Sequence, residues 1–295
     1  MRLKSLLYIA LFAISNLFAQ ESEIKKVIYP ENYKSMIDVV YTQVNGWDGR
    51  LDVYYNPNSV KPTPVVLHIH GGGWNHGNKE SETGFNLYFK AGFAVVNVEY
   101  RLVDVAPAPA AIEDIRTALN YIKLNAKTLN FDPDKIVIEG GSAGAHLALM
   151  GGLLENNPIF DTHCKIKTDM KVAAIISNFA PSDFEALLKQ SFLENSLTKW
   201  LGTNVSNPEF VASVSPITYI KKSSPPVLIV HGDADPIVPY SQSVELQKKF
   251  EEAGVYNEFI TVEGGGHGNF SQEKKVEIAK KIFVFLVKCR LISFR

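Results

Sequence analysis

The chain has 295 residues, of which 46% are apolar and 21% are charged, and its formal net charge is −1. This length suits one large α/β domain or two small ones, and the composition is that of an ordinary globular protein. A net charge so close to zero argues against a protein that depends on a strongly basic surface. We therefore expect no nucleic-acid partner, and no anionic membrane surface as the main partner.

The first 19 residues differ in kind from the rest of the chain. A basic start is followed by an apolar run over residues 6–18, and the small residue Ala19 precedes a polar segment. This pattern is typical of a secretory signal peptide, although a buried helix and a membrane anchor are the alternatives. Because the run is short for a membrane-spanning helix, we expect cleavage near Ala19 and no membrane partner afterwards. The mature protein would then be a single domain over residues 20–295, in the periplasm or outside the cell.

The cysteines indicate neither a disulfide framework nor a metal site. Cys164 and Cys289 are the only two, and two cysteines do not make a disulfide framework, so whether they pair is open. Neither a Cys-x-x-Cys pair nor a cluster of His and Cys indicates a zinc site. We expect neither a metal nor a cofactor.

Strand-like and helix-like patterns alternate along the chain. The predicted strands are 37–44, 51–55, 65–69, 92–98, 136–138, 172–176, 225–230 and 258–262, and the predicted helices are 80–90, 110–125, 145–154, 244–254 and 271–291. The first two strands form a hairpin around residues 45–49, where Asn-Gly and Asp-Gly accept positive φ. The alternation predicts an α/β fold with a mostly parallel central sheet flanked by helices.

Residues 182–224 break this alternation. The stretch is helical and irregular, and it is too long for a plain connection between two elements. We predict that it forms a small helical cap insertion over the active site, and we call it the cap segment.

The segment 70–74, His-Gly-Gly-Gly-Trp, directly follows a predicted buried strand. Consecutive glycines leave backbone N–H groups free to point at a ligand, and an oxyanion needs such fixed donors. A flexible turn is the alternative. We expect His70 to hold the loop rather than to act as a base, and Trp74 either to line the pocket or to fill the core.

Residues 140–144, Gly-Gly-Ser-Ala-Gly, join a β-branched strand to a helix rich in Ala and Leu. They fit the pattern Gly-x-Ser-x-Gly, in which a sharp strand-to-helix turn holds a serine hydroxyl clear of the sheet. A Cβ atom at Gly140 or Gly144 would push the strand and the helix apart. Ser142 is therefore the candidate nucleophile.

A serine nucleophile needs a base beside it, and the base needs an acid that orients it. Of the seven histidines, His267 is the one in a Gly-rich loop after the last predicted strand. Asp235 and Asp233 compete for the role of the acid. Pro236 would stiffen the turn behind Asp235, whereas Asp233 suits turn capping. The candidates follow the carboxyl ends of different parallel strands, which is where such sheets carry their reactive loops.

The order Ser142, Asp235, His267 is that of the α/β-hydrolases, and the chain resembles this family from about residue 35 onwards. The segment 70–74 resembles the HGGGW oxyanion motif of the lipase/esterase branch. The segment 231–239, His-Gly-x-x-Asp-x-x-Val-Pro, resembles the acid loop of that branch, which decides the acid in favour of Asp235.

Within this branch the chain is similar to secreted bacterial bifunctional feruloyl and acetyl-xylan esterases. The resemblance implies an α/β-hydrolase fold with a catalytic triad. It also implies oxyanion donors at the N–H groups of Gly72, Gly73 and Ala143, and a substrate-binding Trp74. Ala145 departs from the pattern, because many relatives have a glycine there, but the chemistry does not depend on it.

Three functions compete. The first is a secreted serine carboxylesterase that removes acetyl or feruloyl groups from hemicellulose, a similar carbohydrate or a small-molecule ester. The second is an arylformamidase-like hydrolase of amides and esters, or a general small-ester esterase or lipase. The third is a non-catalytic binding protein, which would have lost a triad or oxyanion residue. Export favours the first. The sequence fixes neither the acyl group nor the oligomeric state.

Overall fold

The computed structural model describes residues 26–190 and 194–293, with only the backbone at residues 194 and 195. The predicted signal peptide lies outside these residues. The strands are β1 Lys34–Val44, β2 Trp47–Tyr55, β3 Thr63–Ile69, β4 Ala94–Val98, β5 Phe131–Gly141, β6 Ala174–Asn178, β7 Val227–Gly232 and β8 Asn257–Val262. The α-helices are α1 Asn86–Ala91, α2 Ala110–Leu129, α3 Ala143–Leu153, α4 Phe184–Leu188, α5 Glu194–Leu201, α6 Pro208–Ser213, α7 Ser241–Glu252 and α8 Gln272–Lys288.

The strands form a sheet of eight in the order β1-β2-β4-β3-β5-β6-β7-β8. The pairs β1–β2 and β2–β4 are antiparallel, and every later pair is parallel. Crossover helices between parallel strands cover both faces of such a sheet. The predicted class, an α/β fold with a mostly parallel sheet flanked by helices, is confirmed.

Strand β3 illustrates how the two faces are filled. Leu67 and Ile69 point to the face that packs against α2 and α3, whereas Val66 points to the opposite face with α1 and α8. Side chains alternate between the two faces of a strand, and this strand lies in the middle of the sheet, so both sets are buried. We call the side to which Val66 points the α1/α8 face.

The hairpin turn and helix α2 differ in extent from their predictions. The hairpin turn is only Asn45-Gly46, with φ values of 49° and 84°, and β2 begins at Trp47. Two consecutive residues with positive φ close a tight two-residue hairpin, so the later Asp-Gly pair is part of the strand. Helix α2 extends to Leu129, beyond the predicted end at 125, and Asn130 ends it in the left-handed conformation.

The helix predicted over residues 80–90 is also wrong. The segment contains a 3₁₀ turn at Lys79–Ser81 and then the short helix α1. The side chain of Lys79 is buried, and its ammonium group contacts the carboxylates of Asp38 at 2.8 Å and Asp52 at 3.0 Å. Asn97 donates a hydrogen bond to the Lys79 carbonyl oxygen at 2.7 Å. These contacts turn the backbone inward, and periodicity alone does not reveal them.

The cap segment contains α4, α5, α6 and two 3₁₀ turns. Its large rings face inward, since Phe184 and Trp200 are fully buried in the cluster that also contains α2 and α3. No helix in the described part of the chain is long and apolar enough to cross a membrane.

Candidate active site

Ser142 lies at the turn between β5 and α3 with φ 56° and ψ −121°. This backbone conformation is strained for a residue with a side chain, and it is the one that the sharp turn requires. A Cβ atom on Gly140 would overlap the backbone of Gly144, and one on Gly144 would overlap the carbonyl oxygen of Ile69. The two glycines therefore allow β5, α3 and the end of β3 to approach one another as the motif predicts.

The neighbouring strand β6 fixes this turn. The N–H group of Ser142 donates to the carbonyl oxygen of Asn178 at 2.9 Å. The side-chain amide of Asn178 donates in return to the carbonyl oxygen of Gly140 at 3.0 Å. The backbone around Ser142 is thus tied on both sides to one residue at the end of a strand.

His267 and Asp235 form a hydrogen-bonded pair. The distance from His267 Nδ1 to Asp235 Oδ2 is 2.7 Å, and the carboxylate is buried. Although burial opposes it, hydrogen bonds from His231, His267 and the backbone hold the pKa of Asp235 well below its usual range. An ionised carboxylate can only accept, so Nδ1 of His267 carries the proton and its Nε2 lone pair is left for a substrate or nucleophile proton.

Asp235 has further partners that the sequence did not reveal. Its Oδ1 accepts hydrogen bonds from the N–H groups of Ile237 at 2.7 Å and Val238 at 3.0 Å. The Nε2 atom of the buried His231 lies 3.2 Å from Oδ2. The competing acid, Asp233, instead accepts a hydrogen bond from the N–H group of Gly264 at 2.7 Å and so holds the loop. Of these two candidates, the structure pairs Asp235 with His267.

The glycine loop after β3 lies against the turn that carries Ser142. A Cβ atom on Gly71 would be 3.7 Å from the Cβ atom of Ser142. Gly72 and Gly73 have φ values of 115° and 55°, and a Cβ atom on Gly72 would overlap the carbonyl oxygen of His76. This close approach explains why glycine is required at residue 72.

His70 holds this loop from inside the protein, as predicted. Its ring stacks on Tyr100 with a centroid distance of 4.3 Å, and its Nδ1 donates to the carbonyl oxygen of Gly71 at 2.7 Å. Burial lowers the pKa of His70 to about 4. The ring is therefore neutral at pH 7, and it positions the loop.

Trp74 belongs to an aromatic cluster with His146, Phe184 and Trp200. Its ring stacks on Trp200 at 4.6 Å, and its Nε1 donates to His146 Nδ1 at 3.2 Å. His146 Nε2 donates to the carbonyl oxygen of Val214 at 2.9 Å, and burial lowers the pKa of this histidine to about 3. Trp74 lines the cavity but is only 4% exposed. It therefore combines the two roles considered for it, and substrate binding by its ring stays a prediction.

One cavity of about 880 Å³ brings the candidate residues together. Apart from the buried Asp235, every predicted site residue lines it: Ser142, His267, Gly72, Gly73, Ala143 and Trp74. Phe179 lines it as well, with φ 45° and its ring 4.7 Å from that of His267. Phe179 was not among the predicted site residues, although it directly follows β6, and reactive loops leave parallel strands at that edge of the sheet.

Known proteins resemble this chain in both sequence and structure. Residues 51–250 match the BD-FAE family. Esterase LipQ of Mycobacterium tuberculosis is 28% identical over 71% of this chain and 51% of its own length. The probable carboxylic ester hydrolase LipM of the same organism is 30% identical over 70% of this chain and 49% of its own length. The chain thus spans about half the length of the curated relatives it matches.

Two solved structures match nearly end to end. A truncated form of a carbohydrate esterase from gut microbiota is 27% identical, with a TM-score of 0.74, covering 88% of this chain and 99% of that one. Esterase Est2 of Thermogutta terrifontis, with propionate bound, is 25% identical and has a TM-score of 0.74. The match covers 90% of this chain and 98% of that one. The sheet order, the turn at Ser142 and these matches lead to one assignment: the chain has the α/β-hydrolase fold and belongs to the BD-FAE family.

Proposed function

We propose that this protein is a serine carboxylesterase that uses Ser142, His267 and Asp235 as its catalytic triad. The observation that carries the proposal is the pairing of His267 with the buried, ionised Asp235, because His267 lines the same cavity as Ser142. Two polar residues on separate loops adopt the roles of base and acid beside a serine held in a strained turn.

The reaction proceeds through an acyl-enzyme. Ser142 Oγ attacks the ester carbonyl carbon while His267 Nε2 takes the hydroxyl proton, and the carbonyl π electrons move onto oxygen. Collapse of this tetrahedral intermediate expels the alcohol, which leaves with the proton from His267. Water then attacks the acyl-enzyme with His267 again as the base, which releases the acid and restores the serine.

The negatively charged oxygen of the intermediate needs donors that are already in position. Gly72, Gly73 and Ala143 line the cavity with Ser142, and Ala143 is the first residue of α3. The first N–H groups of a helix have no partner within the helix, and the helix dipole favours negative charge there. We assign the three N–H groups to the oxyanion hole.

We further propose that the substrate is an acetyl or feruloyl ester of a carbohydrate and that the protein is exported. The similarity to a carbohydrate esterase supports the substrate class, and the pattern of residues 1–19 supports export. A cavity of about 880 Å³ is large enough for a drug-sized or disaccharide-sized ester.

The test compares the protein with its Ser142→Ala variant on p-nitrophenyl acetate, methyl ferulate, acetylated xylan and a formyl anilide. We expect acetate release from xylan, or ferulate release, that falls at least about 1000-fold in the variant. Turnover of the formyl anilide alone would favour an arylformamidase-like hydrolase. Turnover that survives in a folded Ser142→Ala variant would overturn the triad, and no turnover of any ester would indicate a binding protein.

A further inference from the structure

The cavity that contains Ser142 also has a second group of polar side chains in its wall. They are His68, Glu82, Tyr88 and Glu139, which come from β3, the loop before α1, α1 itself and β5. We call this group the polar end of the cavity. The proposed reaction uses none of these side chains.

The polar end lies on the α1/α8 face of the sheet. His68 and Glu139 are register partners on the neighbouring strands β3 and β5. Each is two residues from a valine, Val66 and Val137, that belongs to the core cluster of this face. Ile278 and Ile282 of α8 line the same cavity, so an apolar wall faces these polar groups.

The polar end contains an imidazole between two carboxylates. His68 Nδ1 lies 3.6 Å from a Glu139 oxygen, and His68 Nε2 lies 3.6 Å from a Glu82 oxygen. These are ion-pair distances, but they are longer than hydrogen bonds. Although burial opposes it, Glu139 and Glu82 raise the pKa of His68 to about 9, so the ring is an imidazolium at pH 7.

Several buried polar atoms at the polar end lack hydrogen bonds. Both ring nitrogens of His68, one oxygen of Glu139 and the Tyr88 hydroxyl make no hydrogen bond of normal geometry within the described residues, although His68 and Tyr88 both lie beside Glu139. Glu139 is 8% exposed and Tyr88 is 4% exposed. Buried polar groups are normally bonded, because leaving one unpaired costs its solvation free energy. The residues that carry these atoms line the cavity, so rotation of a side chain can bring an unpaired atom within reach of a bound molecule.

The donors and acceptors at the polar end indicate which chemical group would bind there. The imidazolium and the phenol donate, whereas the carboxylates accept, so a group that both donates and accepts satisfies both kinds. His68 and the two glutamates carry a net charge of −1, which disfavours a carboxylate, and an ammonium group could not accept hydrogen bonds from the imidazolium or the phenol. A neutral hydroxylated group therefore fits better than a carboxylate or an amine.

We propose that the polar end is a subsite that binds hydroxyl groups of the ester substrate, and that it favours hydroxylated esters over plain ones. This inference rests on the proposed esterase function. The hydroxyl groups have two sources: the sugar that forms the alcohol half, or the phenol of a hydroxycinnamoyl acyl half. Matched substrates distinguish the two.

The experiment measures kcat/KM for two substrate pairs. Acetylated methyl β-xyloside is compared with p-nitrophenyl acetate, and methyl p-coumarate is compared with methyl cinnamate, which lacks only the phenolic hydroxyl. In Tyr88→Phe and Glu139→Gln, the ratio for one pair is expected to fall about tenfold, the usual effect of one lost hydrogen bond to a buried partner. The pair that changes identifies the source of the hydroxyl group.

The control is Tyr121→Phe, which removes a half-buried tyrosine hydroxyl on α2, away from the cavity lining, and leaves both ratios unchanged. Ratios that stay the same in Tyr88→Phe, which changes one atom of a packed ring, would overturn the subsite. An equal fall of the kcat/KM ratio in Tyr121→Phe would also overturn the subsite.

Binding to the Ser142→Ala protein separates this inference from the proposed function. Calorimetry with methyl β-xyloside and with methyl p-coumarate is expected to give binding of at least one of them, weakened about tenfold by adding Tyr88→Phe. Absence of Ser142-dependent turnover with such binding intact would refute the esterase and keep the subsite. The subsite would be refuted if neither probe bound, or if the probes bound equally well to Ser142→Ala with and without Tyr88→Phe.

Discussion

His231 and Asp235 form a contact that is buried on both sides. The Nε2 atom of His231 lies 3.2 Å from the Asp235 oxygen that also accepts from His267, and 3.0 Å from the carbonyl oxygen of Val238. Both neighbours of Nε2 are acceptors, so this nitrogen carries a proton and donates. Its other nitrogen lies 2.6 Å from the Ser243 hydroxyl on α7. His231 thus links Asp235, the acid of the proposed triad, to the helix α7.

Replacing this histidine is expected to slow the reaction without removing the substrate site. In His231→Gln, kcat should fall on the order of tenfold or more, while KM changes little, because Asp235 would hold His267 less well oriented. His163→Gln, which changes a partly exposed histidine paired with Glu113, is the control. Loss of affinity with unchanged kcat would contradict this positioning role.

The approach of the turn at Ser142 to β3 gives a stability prediction. Gly144→Ala should lower the free energy of unfolding by about 3 kcal/mol or more, because the added methyl group would overlap the carbonyl oxygens of Ile69 and His70. Gly84→Ala is the matched control, since nothing lies within 4 Å of its added Cβ atom. Urea unfolding of both variants is the measurement, and equal midpoints would refute the close packing.

His68 predicts a loss of stability at alkaline pH. Its pKa is raised to about 9 from 6.5, so the folded protein binds this proton more tightly than the unfolded chain. The stabilisation is fully present below pH 6.5 and is lost as the pH rises through 9, with an upper bound on the order of 3 kcal/mol. Urea unfolding at pH 6.5, 8 and 9.5 should show this decline. In His68→Gln the decline should be smaller, and an equal decline would contradict the assignment.

The buried His146 predicts a loss of stability at acid pH. Burial lowers its pKa to about 3 from 6.5, so the unfolded chain binds more protons between these values. The free energy of unfolding should therefore fall as the pH drops from 6.5 towards 3, by at most about 5 kcal/mol. His146→Gln should show a shallower slope between pH 6.5 and 4. A slope that does not change would place the acid sensitivity elsewhere, for example at His70.

The sequence predicts those parts of the site that depend on local backbone geometry. Gly140 and Gly144 identify the turn at Ser142, because no larger residue fits there. The choice between Asp233 and Asp235 is different, because it depends on where a loop 32 residues further along returns. Only the family resemblance decided it from sequence.

The contacts that the sequence missed are long-range ones. His231 meets Ser243 on the next helix, and His68 meets Glu139 across two strands that are far apart in the chain. A histidine inside a strand pattern gives no indication of such a partner. The same holds for the segment at Lys79, where the buried ammonium group pairs with Asp38 and Asp52 and the predicted helix does not form over its whole length.

The stacking of Trp74 on Trp200 limits how the proposed substrate specificity of this protein can be redesigned. The stack joins the loop that carries Gly72 and Gly73 to helix α5 of the cap segment. Exchanging residues 182–224 for those of a relative would remove the support of that loop unless both rings at 184 and 200 were kept. Substitutions aimed at new substrates are therefore best directed at Ser196, which lines the cavity outside the core, and not at Leu187 or Leu197, which line the cavity but are buried in the same core as Trp200.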